Sequence, residues 1–246
     1  MVFSPLDQFN LTTFYFLSYS GISLAFTSLI ITTFFATSFI LVIFFSFTTI
    51  DKVFRVTPIE NLLKFIYRFI LNLLIESLGL KGQRFFPFFF TFFTFMLILN
   101  LSGLIPYHHT VSSHFVNAIS FSVGLFLGLW LISFYTHKLR FFSLFFPKGS
   151  PIILAPLIII IEFVSFLSRP VSLAVRLCAN MISGHVLIKI LCSFGWVLIT
   201  QGLFFMLIPM IIVSVLAALE FGIGLLQSYV FTVLLTIYLK EAMYLH

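Results

Sequence analysis

Residues 170–185 read PVSLAVRLCANMISGH, and they place one arginine, Arg176, inside a stretch that is otherwise fit for lipid. An arginine does not lose its proton under ordinary conditions, and holding one at the centre of a bilayer costs about 3 to more than 10 kcal/mol. A cation kept at that depth is therefore expected to act on another group.

A polar stripe surrounds Arg176 along an apolar helix. At about 100° per residue, the polar positions of this region lie within roughly 40° of Arg176 on one helical face. These positions are Glu162, Ser165, Arg169, Ser172, Asn180 and Ser183. The stripe predicts a proton-translocating membrane subunit.

The composition is that of an integral membrane protein. Of the 246 residues, 61% are hydrophobic and 8% are charged, whereas soluble domains carry about 25% charged residues. The net charge of +6 is scattered, so nucleic acid is not an expected partner. Lysine and arginine concentrate in residues 51–84 and 137–148 and are missing from 107–114. The positive-inside rule then places segments 51–84 and 137–148 inside, and segment 107–114 and the N-terminus outside.

The hydropathy pattern predicts an all-α integral membrane protein with a single membrane domain, residues 1–246. A transmembrane helix, an amphipathic interfacial helix and further membrane helices are expected before two long, tilted C-terminal helices. The predicted parts are an N-terminal segment (1–21), a first span (22–50), the amphipathic helix (58–80), a helical hairpin (85–136) and a long tilted helix hairpin (150–243).

The last hairpin is unusually long. Its two helices, at about 152–193 and 201–241, each exceed the roughly 20 residues that cross a bilayer upright, so they must be tilted, broken or both. Pro170 and Pro209 are natural kink points. With the turn near Gly195, His185 and Glu220 would be level only if the helices tilt or the turn is longer.

Two titratable residues are candidates for proton transfer. His185 lies about 180° around the helix from Arg176, and histidine exchanges protons near neutral pH. Glu220 cannot remain an unpaired carboxylate in hydrocarbon, so it must contact water, contact His185 or be protonated. It shares a helical face with Gln227. Gly222 and Gly224 would let another helix approach closely.

Structural interpretations of the same residues remain open. Arg169 could simply pair with Glu162 or reach the interface, and Asn180 could be an interhelical donor and no more. His185 could be a core histidine whose ring nitrogens are simply hydrogen-bonded, and Glu220 could have a purely structural role.

The outward loop carries three of the six histidines, His108, His109 and His114. Adjacent histidines without a cysteine or acidic companion are a weak metal motif, so no metal site is predicted. The preferred interpretation is that these histidines are solvated loop residues or line the mouth of a proton path. Asn100 is expected to cap the broken end of its span.

Three runs resemble subunit a of the rotary ATP synthase: SRPVSLAVRLCANMISGH (168–185), LEFGIGLLQSYVFTVLLTIYL (219–239) and NLSGLIPY (100–107). The opening SPLDQF is similar to the mitochondrial and plant-like branch. The resemblance implies the helical arrangement given above, with the last two helices curving around the c-ring. It also implies an organelle-encoded, multi-pass protein of the mitochondrial inner membrane.

The resemblance also implies roles for single residues. Arg176 matches the essential arginine that exchanges protons with c-ring carboxylates, and Asn180 and Gln227 match polar residues near it. His185 and Glu220 match residues of the family's proton entry path. Bacterial members tend to have glutamate at the first position and histidine at the second, whereas mitochondrial members have the reversed pair that is found here. The expected proton path is completed by Glu162 on the exit side, Ser183 and His114.

The expected partners are c-ring proteolipid subunits, the peripheral stalk and other ATP synthase membrane subunits, the lipid bilayer and protons. No cofactor is expected. The chain has no phosphate-binding loop, so it is not expected to make ATP by itself. A proton-coupled secondary transporter is the alternative, although it should show an internal repeat. A haem-binding redox subunit would need paired histidines inside spans.

Overall fold

A computed structural model describes residues 9–10, 13–19, 22–50, 58–105, 110–138, 155–199 and 202–243. His108 and His109 lie outside the described residues, as do most of the basic loop 137–148 and parts of the predicted N-terminal segment. Two strands and six α-helices are assigned in the described part of the chain, and a 3₁₀ segment, Gly79–Phe85, follows the second helix. The elements are β1 (Thr13–Tyr19), β2 (Ile22–Thr27), α1 (Ser28–Ile50), α2 (Pro58–Leu78), α3 (Phe86–Gly103), α4 (Phe115–His137), α5 (Ala155–Ile199) and α6 (Leu203–Met243).

The predicted all-α membrane class is confirmed for the helices, and one small β-hairpin is added to it. The first span was expected over 22–50, but Ile22–Thr27 pairs antiparallel with Thr13–Tyr19 and the helix begins at Ser28. The two runs, TFYFLSY and ISLAFT, are rich in aromatic and β-branched residues, which favour strands. A hydropathy window does not distinguish such runs from the start of an apolar helix.

Helix α2 is amphipathic, as predicted. Its buried side chains include Leu63, Ile70 and Leu74, whereas Lys64 and Arg68 are exposed. The helix ends at Leu78 because Gly79 follows with a φ of +68°, a left-handed conformation that glycine adopts without strain.

Four helices in the described part of the chain are long and apolar enough to cross a membrane. They are Gly82–Gly103, Phe115–His137, Pro156–Ile199 and Leu207–Met243. This agrees with the predicted further membrane helices and with the two long C-terminal helices. In the most apolar stretch of each of the two long helices, only 17% is buried inside the chain, against 50% for Gly82–Gly103. Helices α5 and α6 therefore leave most of this apolar surface for lipid or for other subunits.

The two long helices are continuous, and the predicted turn at Gly195 is wrong. Helix α5 runs for 45 residues through Pro170, and α6 runs for 41 residues through Pro209. Gly195 lies inside α5, where an added Cβ would make an ordinary van der Waals contact of 3.5 Å with Pro209 Cγ. Helix α5 ends at Ile199 and α6 begins at Leu203, and Gly202 just before α6 has a φ of +146°. Helix α5 is about 67 Å long, roughly twice the thickness of a bilayer core, and its tilt remains a prediction.

The chain divides into two compact units, each built from separated segments. Unit 1 comprises the described residues of 1–55, 91–114 and 177–229, and its buried side chains include Met96, Leu99 and Met181. Unit 2 comprises those of 56–90, 115–176 and 230–246, and its buried side chains include Phe89, Leu173 and Leu235.

Candidate functional site

His185 and Glu220 meet in unit 1. The Nδ1 atom of His185 lies 3.3 Å from Oε1 of Glu220, and their side chains are only 15% and 3% exposed. Helix α5 ends at Ile199 and α6 begins at Leu203, nearly midway between the two residues along the chain, so the packing of these two helices brings them level. The structure therefore brings together the two residues that the sequence singled out for proton transfer.

Glycines on neighbouring elements make room for this pair. A Cβ at position 184 would lie 2.8 Å from Oε1 of Glu220, so the carboxylate would have to shift to admit a side chain there. At the end of α3, a Cβ on Gly103 would lie 2.6 Å from Thr110 Cγ2 and 3.4 Å from His185 Nε2. The second ring nitrogen of His185 therefore faces the end of α3 and the segment that follows it.

The segment Thr110–His114 is a buried polar turn against α5. The Thr110 and Ser113 hydroxyls are hydrogen-bonded to each other, and the Ser113 hydroxyl also donates to the Thr110 carbonyl over 2.8 Å. The Cys178 thiol donates to the Ser113 carbonyl over 3.0 Å. This part of the predicted outward loop is thus anchored close to His185, while His114 itself is only partly buried.

Asn180 and Gln227 also meet in unit 1. The Asn180 amide donates to Gln227 Oε1 over 3.4 Å, and Gln227 is 4% exposed. The Ser183 hydroxyl is exposed and donates to the Asn180 carbonyl on its own helix over 3.1 Å. Asn180 is therefore an interhelical donor, as its structural interpretation required, and it orients a buried glutamine.

Asn100 has a different role from the predicted cap. Its side chain is fully buried, and its amide donates to the Gly224 carbonyl of α6 over 3.3 Å. A Cβ added at Gly224 would lie at an ordinary van der Waals distance, 3.6 Å, from Asn100 Cβ, and one added at Gly222 would have no neighbour within 4 Å among the described residues.

Arg169 is held at the centre of an ion-pair cluster in unit 2. Its guanidinium pairs with the Glu241 carboxylate and lies 3.9 Å from a carboxylate oxygen of Glu162. The same guanidinium lies 5.1 Å from the centre of the Tyr238 ring and 6.0 Å from that of Phe166, within cation–π range. Arg169 thus pairs with Glu162, as its structural interpretation allowed, and more closely with Glu241.

Arg176, also in unit 2, is in the opposite situation. Its side chain is exposed, with Val171 and Val175 exposed on the same stretch of helix. Within the described ranges, no carboxylate lies within ion-pair distance of this guanidinium. The charge of Arg176 is therefore presented to the outside of the chain.

A family model described as ATP synthase A chain matches residues 27–240, which is most of the sequence. The chain belongs to the ATP synthase A chain family. It is 44% identical over 193 residues to ATP synthase subunit a of Marchantia polymorpha, covering 76% of this chain and 77% of that protein. It is 38% identical to the Chondrus crispus subunit a, covering 100% and 98%. For the Rhodospirillum rubrum subunit a the identity is 34%, covering 99% of each.

Membership of the ATP synthase A chain family agrees with the resemblance seen in the three sequence runs. Together with the four candidate spans among the described residues, it makes the chain a multi-pass membrane subunit of the ATP synthase.

Several site residues of this family member were not found from its sequence. Glu241 stands 21 residues after Glu220 and 14 after Gln227, so the heptad spacing of α6 could have indicated it. Nothing in the sequence pattern indicated the hydroxyl pair of Thr110 and Ser113. Among described residues, His, Cys, Asp and Glu form no group of three or more that could hold a metal ion.

Proposed function

We propose that this chain is the proton-channel stator of the ATP synthase membrane sector. In this role it provides two offset half-channels, and the fixed charge of Arg176 favours the ionised form of the carboxylates of a rotating c-ring, so that these carboxylates exchange protons with the half-channels. Ring rotation is thereby coupled to ATP synthesis in other subunits.

The exposed charge of Arg176 is the observation that supports this proposal. A guanidinium among exposed valines cannot face lipid alone without a cost of several kcal/mol. Arg169 shows that carboxylates within the chain can satisfy an arginine. Since Arg176 has no such partner among the described residues, an acid supplied by a neighbouring subunit is the natural counter-ion.

The electrostatics of this contact give the mechanism. A c-ring carboxylate is protonated while it faces lipid, and near Arg176 its ionised form is favoured, so it releases its proton there. The same fixed positive charge repels a proton that would otherwise pass directly between the two half-channels. Asn180, one turn after Arg176 along α5, orients the buried amide of Gln227. A charge moving through 100 mV gains about 2.3 kcal/mol, which drives rotation step by step.

Protons enter through His185 and Glu220 and leave past Glu162. The 3.3 Å approach of His185 and Glu220 inside a buried site supports direct proton exchange between them. His114, at the end of the polar turn, is proposed to lie at the mouth of the entry path. Ser183 is proposed to lie along the path on the exposed side of α5.

The membrane is proposed to be the mitochondrial inner membrane, with the gene in the organelle. The plant and algal relatives support this location, although a bacterial relative is also similar. The proposed partners in the complex are the c-ring, the peripheral stalk and the other membrane subunits.

The test compares Arg176→Ala and Arg176→Lys in the intact complex, with Arg84→Gln as a control that removes an exposed arginine elsewhere. ATP-driven proton pumping into vesicles should be abolished by Arg176→Ala and unaffected by Arg84→Gln. Full pumping by Arg176→Ala would rule out the proposed role. Proton transport by the purified chain without a co-purifying c-ring would instead favour a secondary transporter.

A further inference from the structure

Helix α2 carries two exposed cations on its polar face, one turn apart. Lys64 and Arg68 are four residues apart, so they lie within about 40° of each other around the helix, with Cβ atoms about 6 Å apart. Within the described part of the chain, no carboxylate lies within ion-pair distance of Arg68. Glu76, an exposed acid of the same helix, is eight residues further on, about 12 Å along its axis. The charge of Arg68 is therefore open to a partner outside the chain.

Aromatic side chains lie on both sides of the two cations. At about 100° per residue, Tyr67, Lys64, Arg68 and Phe65 follow one another around α2 at steps of roughly 60°, 40° and 60°. Phe65 is 71% exposed and Tyr67 is 43% exposed. A cationic strip between exposed aromatic side chains is typical of a helix surface that contacts lipid headgroups and the upper parts of acyl chains.

The ring of Tyr67 indicates the depth of this strip in the membrane. It lies edge-on to the ring of Phe86, with ring centres 4.6 Å apart, and its centre is 6.4 Å from that of Phe90. Phe86 is the fifth residue of the candidate span Gly82–Gly103, so Tyr67 lies at the end of the span where hydrocarbon meets headgroups. Tyrosine is enriched at this level. Because Lys and Arg concentrate in residues 51–84, the positive-inside rule places this end of the span at the inner leaflet.

We propose that Lys64 and Arg68 bind the phosphate of an anionic phospholipid in this leaflet, with Phe65 and Tyr67 against its glycerol and upper acyl chains. The planar guanidinium can donate two hydrogen bonds to one phosphate, and the ammonium one turn away adds a second positive charge. A zwitterionic lipid carries its own cation beside the phosphate, so it gains less from this pair of charges. The exposed aromatic side chains favour a lipid over an acidic protein segment, because they supply contacts for acyl chains. This inference requires only a membrane subunit and does not rest on the proposed proton path.

The first experiment measures which lipid lies beside α2 in the intact complex. Accessible native cysteines, including the exposed Cys192, are removed, and Asn72→Cys, exposed one turn after Arg68, carries a fluorescent label. The complex is reconstituted into phosphatidylcholine vesicles with a small, equal fraction of spin-labelled phosphatidylglycerol or spin-labelled phosphatidylcholine. Each cation should favour the anionic lipid about fivefold, so the quenching should correspond to a local enrichment of phosphatidylglycerol of about 25-fold.

The second experiment locates the enrichment by substitution. Lys64→Gln and Arg68→Gln should each lower the enrichment about fivefold, and the double variant should remove it. Lys240→Gln is the matched control, since it removes an exposed cation from the last turn of α6 and should leave the enrichment unchanged. Co-purification of the c-ring checks assembly. The comparison of the two lipids with both cations in place remains decisive even if a variant fails to assemble.

Equal quenching by the two lipids, or an enrichment that survives the double variant, would overturn the lipid site. Displacement of the phosphatidylglycerol by inorganic phosphate would also overturn it, because the ligand would then be a soluble anion. Cross-linking of the thiol at position 72 to another subunit, without quenching by either lipid, would indicate an acidic protein partner instead. None of these results bears on Arg176, whose role is decided separately by proton pumping.

Discussion

Gly184→Ala tests whether the carboxylate of Glu220 must sit against His185. The new methyl group would lie 2.8 Å from Oε1 of Glu220, 3.0 Å from Cδ and 3.3 Å from Cγ. Oε1 is also the atom that approaches His185 Nδ1. Because Glu220 is only 3% exposed, its side chain has little free space into which to retreat.

The size of the effect follows from these distances. To restore ordinary contact, Oε1 must move by roughly 0.6 Å, a clash that costs about 1 to 3 kcal/mol in a packed site. Replacing glycine by alanine in a helix returns about 1 kcal/mol, so the complex should lose about 0 to 2 kcal/mol of stability. A displacement approaching 1 Å lowers reaction rates by up to about 100-fold, so we expect proton transfer to slow by roughly tenfold.

The assay is ATP-driven proton pumping by the reconstituted complex, with assembly checked by co-purification of the c-ring. Gly124→Ala is the control, since no described residue comes within 4 Å of a Cβ added there. Shortening the acid with Glu220→Asp should make the complex less sensitive to Gly184→Ala, because the clashing atoms retract. If Gly184→Ala assembles and pumps at the wild-type rate, the distance between His185 and Glu220 does not limit proton entry.

Three further substitutions test contacts elsewhere, each through the temperature at which the purified complex loses this subunit. Asn100→Ala removes the donor to the Gly224 carbonyl and should cost about 0.6 to 1.7 kcal/mol, typical of hydrogen bonds between membrane helices. Arg169→Gln leaves Glu162 and Glu241 without their cation and should cost about 1 to 2 kcal/mol, less than a fully buried pair because the carboxylates are 41% and 39% exposed; adding Glu241→Gln should recover part of this loss. Gly79→Ala places a side chain at a φ of +68° and should cost about 1 kcal/mol. An unchanged temperature would contradict the contact or conformation concerned.

The helices were largely predictable because hydropathy and helical period reflect the solvent on each face. The four-residue spacing of polar positions in α2 correctly gave an amphipathic helix, with Lys64 and Arg68 exposed. The turn between α5 and α6 was misplaced for a local reason. Glycine is common both at helix ends and inside membrane helices, and the sequence does not say that Gly195 lies inside α5 whereas Gly202 lies just before α6.

The site was predictable where function requires a charged or titratable side chain in an apolar helix, because such a side chain is costly in free energy to place in a membrane. Arg176, His185 and Glu220 each stand out against hydrocarbon. Asn100 and Glu241 did not, because their importance depends on which backbone or side chain lies opposite, and one sequence does not give the register between helices. The hydroxyl pair of Thr110 and Ser113 is still less visible, since serine and threonine are common in loops.

The two arginines of α5 in unit 2 show how the same residue type serves two purposes. Arg169 has two carboxylates around it, so its charge is compensated within the chain and the cluster even carries an excess negative charge. Arg176, seven residues later, is exposed and has no carboxylate within ion-pair distance among the residues described. If arginine were retained at both positions only for packing, both would be expected to have partners in the chain, because an unpaired charge in the membrane is costly. The difference implies that the compensation for Arg176 comes from another subunit and can be withdrawn. A withdrawable acid is what a rotating ring of carboxylates would supply.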